Sequence, residues 1–189
     1  MAYLSQAALE TLGFKSLGKN VKISDKAAIY NPESIEIGDH SRIDDFCIIS
    51  GRVVIGRYCH ITPMCLIAGG EPGIYLDDYA TCAYGVKIFS QSDDYSGESM
   101  VNSLIPKKFK RELFAAVQIK RHVIIGTNAV IFPGVTLAEG TSVGAMSLVT
   151  KNTQAWWIYA GIPAKPYKAR SQNLLTLEKI FKASEYDSI

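Results

Sequence analysis

Isoleucine, leucine or valine recurs at every sixth position along most of this chain. Ile37, Ile43, Ile49, Ile55, Ile61 and Ile67 hold one register, and Ile119, Ile125, Ile131, Leu137, Val143 and Val149 hold a second. A period of six matches neither the helical repeat of about 3.6 nor the two-residue alternation of an isolated strand. It marks a solenoid in which each hexad is a short flat strand and three hexads close a triangular coil. Such coils stack at the inter-strand spacing of about 4.8 Å. Small or β-branched residues hold the fifth place (Ser41, Ala80, Ala129, Val135, Thr141, Ser147), where a bulky side chain would strike the next coil. Glycine takes the second place at Gly38, Gly56, Gly126 and Gly144, where backbones come close.

The register also explains the cysteines. Cys47, Cys59 and Cys65 fall at the fifth place and Cys82 at an isoleucine position, so all four read as small buried hydrophobes. No Cys-x-x-Cys spacing supports zinc, and His40, His60 and His122 lie far apart in sequence, so no metal is expected. A formal charge of +2 implies no broad nucleic-acid footprint. No apolar run approaches the roughly 18 residues of a membrane span. The N-terminus lacks a basic segment followed by an apolar stretch, so the expected location is the cytoplasm.

The breaks in the period carry further information. A weaker opening register (Leu17, Ile23, Ile29, Ile35) slips by two residues into Ile37. A short insertion, Gly69-Gly70-Glu71-Pro72-Gly73, follows Ile67, and a longer one, residues 93–118, separates Ile88 from Ile119. Counting three hexads per coil, both insertions leave from one corner on adjacent coils. Ahead of the coils, Ser5 as N-cap, Leu4 and Leu9 as a hydrophobic staple and Gly13 as the stop predict a short helix that caps the open end. Beyond Val149, the segment Ser171 to Glu185 sets Leu174, Leu177, Ile180 and Phe181 on one helical face. It is expected to cover the other end of the stack or a neighbouring subunit.

Four segments are more specific than the repeats: Asn31-Pro32-Glu33-Ser34-Ile35-Glu36-Ile37-Gly38, Ser92-Asp93-Asp94-Tyr95-Ser96-Gly97, His122-Val123-Ile124-Ile125-Gly126, and Ile158-Tyr159-Ala160-Gly161-Ile162-Pro163-Ala164-Lys165. With them the chain resembles the hexapeptide-repeat acyltransferases over about residues 17–170, within the sugar acetyltransferases of bacterial surface-polysaccharide pathways. That group includes galactoside O-acetyltransferases and dTDP-4-amino-4,6-dideoxyglucose acyltransferases. The resemblance implies an all-β, left-handed parallel β-helix in a single acyltransferase domain over 1–189. Its parts would be a helical cap over 1–16, the β-helix over 17–155 with loop 93–118, and a C-terminal segment and helix over 156–189. It further implies a homotrimer, acetyl-CoA as donor, and active sites in clefts between subunits. The expected reaction acetylates the amino group of a nucleotide-linked amino deoxysugar for O-antigen or another surface polysaccharide. A sugar hydroxyl is the alternative acceptor, and a non-catalytic scaffold the third reading.

Acyl transfer needs a base for the attacking group and donors for the developing oxyanion. His60, at a corner in Tyr58-Cys59-His60-Ile61-Thr62, is the first candidate base, because a His-Ile pair recurs there in relatives of this kind. The maltose and galactoside branch instead carries its histidine in a loop aligning with Ile88 to Asp93; this chain has Asp93 at or near that place, which makes Asp93 the second candidate. His60 and the Asp93 loop lie about one 20 Å face apart, so a site using both must combine two subunits. Asp94 and Tyr95 beside Asp93, Lys107 and Lys108 in the loop, and His122, expected to face outward, are candidates for contact with the nucleotide sugar. Gly126, Gly144, Ala145, Gly161 and Ala164 form a small-residue track for an extended pantetheine, and Lys151, Lys165 and Lys168 could meet the phosphates of CoA.

Overall fold

A computed structural model describes residues 2–186 of the chain. Its hexads become parallel strands, mostly two or three residues long, stacked into three sheets that form the faces of a prism. The first face has six strands, from Ser16–Leu17 to Thr136–Leu137, and the second has eight, from Lys22–Ile23 to Ala164–Ala169. The third has six, from Ala28–Tyr30 to Leu148–Val149. This is the expected parallel β-solenoid. Ile37, Ile55, Leu76, Ile119 and Leu137 lie side by side on successive coils of the first face. The leaders of both registers are at most 2% exposed, so each contributes the roughly 1.5–3 kcal/mol of a fully buried aliphatic side chain.

The two-residue slip near the start is a longer corner. Asn31 turns left-handed and Pro32–Ser34 forms a 3-10 turn, after which Leu17 still pairs with Ile37. The four cysteines are buried and free, and burial pushes the Cys59 thiol up to about 12. A thiol so far from ionisation is no nucleophile at neutral pH.

The corners explain a pattern that periodicity alone leaves unread. Many hexads are left-handed at their fourth place, and one column of these corners runs through His40 (φ 60°), Tyr58 (55°), Tyr79 (62°) and His122 (60°), with Trp156 (60°) on the last coil. A side chain there costs about 1–2 kcal/mol relative to the ordinary helical conformation. The rings offset that cost by stacking. His40 lies 4.7 Å from Tyr58, Tyr58 5.4 Å from Tyr79 and Tyr79 5.1 Å from His122, all nearly parallel. Each such pair is worth about 0.5–1.5 kcal/mol. At Gly140, in the same column, an added Cβ would strike the Trp156 indole, which lies over it.

Helix α1 (Gln6–Thr11) begins as expected, with the Ser5 hydroxyl accepting from the Ala8 amide and Leu9 buried. The far end departs from expectation. A hairpin of Trp157–Gly161 and Ala164–Ala169 closes the second face, and helix α2 (Leu174–Tyr186) turns back along the side of the prism. Phe181 meets Tyr58 edge-on, and Glu178 bonds to His122. The amphipathic segment therefore covers a flank of its own coils and not the end of the stack; residues 187–189 lie outside the described residues. Among the described residues, no helix is long and apolar enough to cross a membrane.

Both insertions leave the third face after paired strands, with Ile67 beside Ile88, so they share one corner on adjacent coils. The longer insertion rises on a two-stranded antiparallel stem, Gln91–Ser92 against Leu113–Phe114. Its tip is unusually apolar for a free loop, with Tyr95 92% and Leu104 89% exposed.

Candidate active site

His60 opens the strand His60–Ile61 on the second face, between Arg42 and Thr81 of the adjacent coils. Strand alternation sends Ile61 into the core, so the neighbouring imidazole turns outward, and its side chain is 38% exposed. Its Nε2 lies 2.9 Å from Oδ2 of Asp44, whose side chain is only 2% exposed. Burial alone would raise the Asp44 carboxyl. Hydrogen bonds from Arg42 and from His60 outweigh that and hold it below the usual carboxylate range. Asp44 escaped the sequence reading, although it stands at the second place of a hexad, the place that glycine holds at Gly38, Gly56, Gly126 and Gly144.

Asp93 stands at the base of the arm, lining a small cavity of about 160 Å³ with Gln91, Ser92, Ser103 and Glu112. No hydrogen bond or ion pair among the described residues links it to His60, so one subunit does not bring the two candidate bases together. Asp94 is engaged by the arm itself. Its Oδ1 accepts from the Ser96 amide and hydroxyl and its Oδ2 from the Ser99 hydroxyl, which pulls the carboxyl down to about 2. Of the loop cations, Lys110 pairs with Glu112 and Arg111 with Glu98. Lys107 and Lys108 stay exposed on a 3-10 turn.

His122 differs from expectation. It is 8% exposed and does not face solvent, because α2 lies across it. Burial first, then the nearby charges of Arg121, Arg170 and Lys182, push its pKa down to about 4. The imidazole is therefore neutral near pH 7 and donates from Nε2 to Glu178 Oε2 at 2.9 Å. Glu178 also pairs with Arg121 and, one helical turn on, with Lys182. Beneath this latch lies a cavity of about 460 Å³, walled by Tyr58, Tyr79, His122, Leu174, Leu177 and Phe181 among others. Sequence reasoning missed Tyr58 and Tyr79, although their shared fourth place signals the column.

The small-residue track is resolved residue by residue. At Gly126 an added Cβ would lie 2.5 Å from the Ala145 amide nitrogen, so the next coil, and no open groove, requires glycine there. Gly144 faces the Ala160 methyl at 3.1 Å. Ala145 and Gly161 are exposed, and Ala164 packs partly against the core. Lys151, Lys165 and Lys168 are all exposed near the closing hairpin. Among the described residues, no group of three or more histidine, cysteine, aspartate or glutamate side chains is placed to hold a metal ion.

Residues 34–69 match the family model described as bacterial transferase hexapeptide (six repeats). The chain is 43% identical over 187 residues to the dTDP-4-amino-4,6-dideoxy-D-glucose acyltransferase of Escherichia coli, covering 97% of each. It superposes with a TM-score of 0.96 and 45% identity on a serine-to-alanine variant of AntD, an N-acyltransferase from Bacillus cereus, in complex with dTDP-4-amino-4,6-dideoxyglucose and coenzyme A. That match covers 97% of this chain and 98% of the other. AntD in complex with dTDP and 3-hydroxybutyryl-CoA matches with the same TM-score at 44% identity, again over 97% and 98% of the two chains. A shared fold could come from the repeats alone, but the match to the Escherichia coli enzyme covers 97% of the chain, well beyond the repeats. The chain belongs to the hexapeptide-repeat acyltransferase family that includes the Escherichia coli dTDP-4-amino-4,6-dideoxy-D-glucose acyltransferase.

Proposed function

We propose that this enzyme transfers an acyl group from acyl-CoA to the amino group of a dTDP-linked 4-amino-4,6-dideoxy sugar, as a step toward a surface polysaccharide such as O-antigen. The observation that carries the reading is the 43% identity to the Escherichia coli enzyme over 97% of both chains. The Bacillus cereus complexes support it, since one holds both the amino sugar nucleotide and coenzyme A. Acetyl-CoA is the first candidate donor, and the 3-hydroxybutyryl-CoA complex of that relative makes a hydroxyacyl thioester the second.

In this mechanism the sugar amine attacks the thioester carbonyl directly. All four cysteines are buried, which argues against a covalent acyl-cysteine route. His60 takes the proton released at nitrogen, and backbone amides hold the oxyanion. Lys107 and Lys108 on the arm suit the diphosphate of the nucleotide sugar, while Lys151, Lys165 and Lys168 suit the phosphates of CoA. The apolar tip of the arm, with Tyr95 and Leu104 almost fully exposed, supports a homotrimer in which each arm reaches a neighbour and carries Asp93 toward that neighbour's His60. The test is thiol release from acetyl-CoA and 3-hydroxybutyryl-CoA with dTDP- and UDP-linked amino sugars and with free hexoses. Release with dTDP-4-amino-4,6-dideoxyglucose and none with free hexoses is expected; turnover with hexoses alone would replace this reading by O-acylation.

A further inference from the structure

Asp44 offers one acceptor beyond those that Arg42 and Tyr3 occupy. It follows Ile43, which points into the core, and it sits beside His60 of the next coil. Arg42 grips it with both arms of its guanidinium, Nε donating to Oδ1 at 2.6 Å and the terminal NH2 to Oδ2 at 3.1 Å. The Tyr3 hydroxyl, from the N-terminal segment, reaches Oδ1 at 3.5 Å. A buried carboxylate demands such pairing, and Arg42 with Tyr3 already satisfies much of it. What remains is the Oδ2 lone pair aimed at Nε2 of His60, 2.9 Å away.

That leftover acceptor sets the state of the imidazole. An ionised carboxylate only accepts hydrogen bonds, so Nε2 must carry the proton, and in the neutral ring Nδ1 then keeps its lone pair. We infer that Asp44 is a positioning residue for acyl transfer, fixing His60 as the Nε2–H tautomer so that Nδ1 is the nitrogen that receives the proton of the acceptor amine. The inference rests on the reading of His60 as the base. In the step itself, the amine nitrogen forms a bond to the thioester carbon, and the carbon–sulfur bond breaks as the tetrahedral adduct collapses. The proton lost from nitrogen passes to His60 Nδ1 and from there to the departing CoA thiolate. Asp44 takes no proton; it orients the ring and stabilises the transient imidazolium. Arg42 keeps Asp44 ionised and in place.

The experiment compares full-length wild type, His60→Ala, Asp44→Asn and Asp44→Glu by steady-state kinetics and by nitrogen-15 NMR of the His60 ring. Wild type is expected to show the Nε2–H tautomer. In Asp44→Asn the side-chain amide can turn its NH2 toward the ring, so the tautomer shifts to Nδ1–H, and kcat falls by roughly 100-fold or more with KM within about threefold. Asp44→Glu keeps a carboxylate on a longer arm and should recover part of kcat; it also keeps the test decisive if the asparagine variant does not fold. A wild-type tautomer and kcat in Asp44→Asn, beside an inactive His60→Ala, would overturn the role of Asp44 alone. Wild-type turnover by His60→Ala would instead overturn the reading of His60 as base, and with it this inference.

Discussion

Replacing Tyr79 tests whether the corner column stabilises the coil by stacking. Tyr79 stacks on two rings, Tyr58 at 5.4 Å and His122 at 5.1 Å, with interplanar angles of 4° and 11°. At about 0.5–1.5 kcal/mol per pair, Tyr79→Ala should lose about 1–3 kcal/mol. The guanidinium of Arg121 over the same ring, 5.4 Å from its centroid, adds to the loss. Alanine also keeps a Cβ in the left-handed conformation, at φ 62°. Tyr79→Gly loses the same stacks but relieves about 1 kcal/mol of backbone strain. The glycine variant should therefore be the more stable of the two, reversing the usual order of these residues. Urea denaturation at one fixed protein concentration measures both, so that any self-association weighs equally on each variant. Tyr79→Ala as stable as wild type, or more stable than Tyr79→Gly, would refute the reasoning.

Three other outcomes follow from the same contacts. His122 has a depressed pKa in the folded chain, about 4 against an ordinary 6.5, so acidification through that window protonates the unfolded chain first and destabilises the fold. Its cationic neighbours Arg121 and Lys182 are partly solvent-screened, so we expect a loss of about 1 kcal/mol between pH 7 and pH 4.5 from this group, absent in His122→Asn and measured by thermal melts. Gly126→Ala would force a Cβ against the backbone of the next coil and should cost about 3 kcal/mol or more, whereas Gly144→Ala meets the Ala160 methyl at 3.1 Å, with Ser147 Oγ and the Tyr159 carbonyl at ordinary contact, and should cost under about 1 kcal/mol; equal melting shifts would contradict this. Finally, mixing His60→Ala and Asp93→Ala subunits should regain part of the activity that each variant lacks alone, and no recovery would count against a site shared between subunits.

The six-residue period made most of the fold legible, because a prism core admits one side-chain direction per hexad and every interruption must then leave at a corner. Ile67 and Ile88 placed both insertions correctly for that reason. The path of α2 was not legible. Leu174, Leu177 and Phe181 declare an apolar face, but nothing local says whether it meets the end of a stack or its flank. The site was legible only in part. His60 stood out as a titratable residue at a corner, while its partner Asp44 lies sixteen residues earlier and becomes adjacent only because one coil stacks on the next. His122 was misread as outward-facing, since a fourth-place residue does point out of the coil, but the returning helix buries it.

The most direct test of the central claim is the structure of the product. Purified enzyme supplied with acetyl-CoA and dTDP-4-amino-4,6-dideoxyglucose should yield a nucleotide sugar heavier by one acetyl group, with the NMR signature of an amide at the amino-bearing carbon. An ester at a sugar hydroxyl, or no product with either acetyl- or 3-hydroxybutyryl-CoA, would contradict the account.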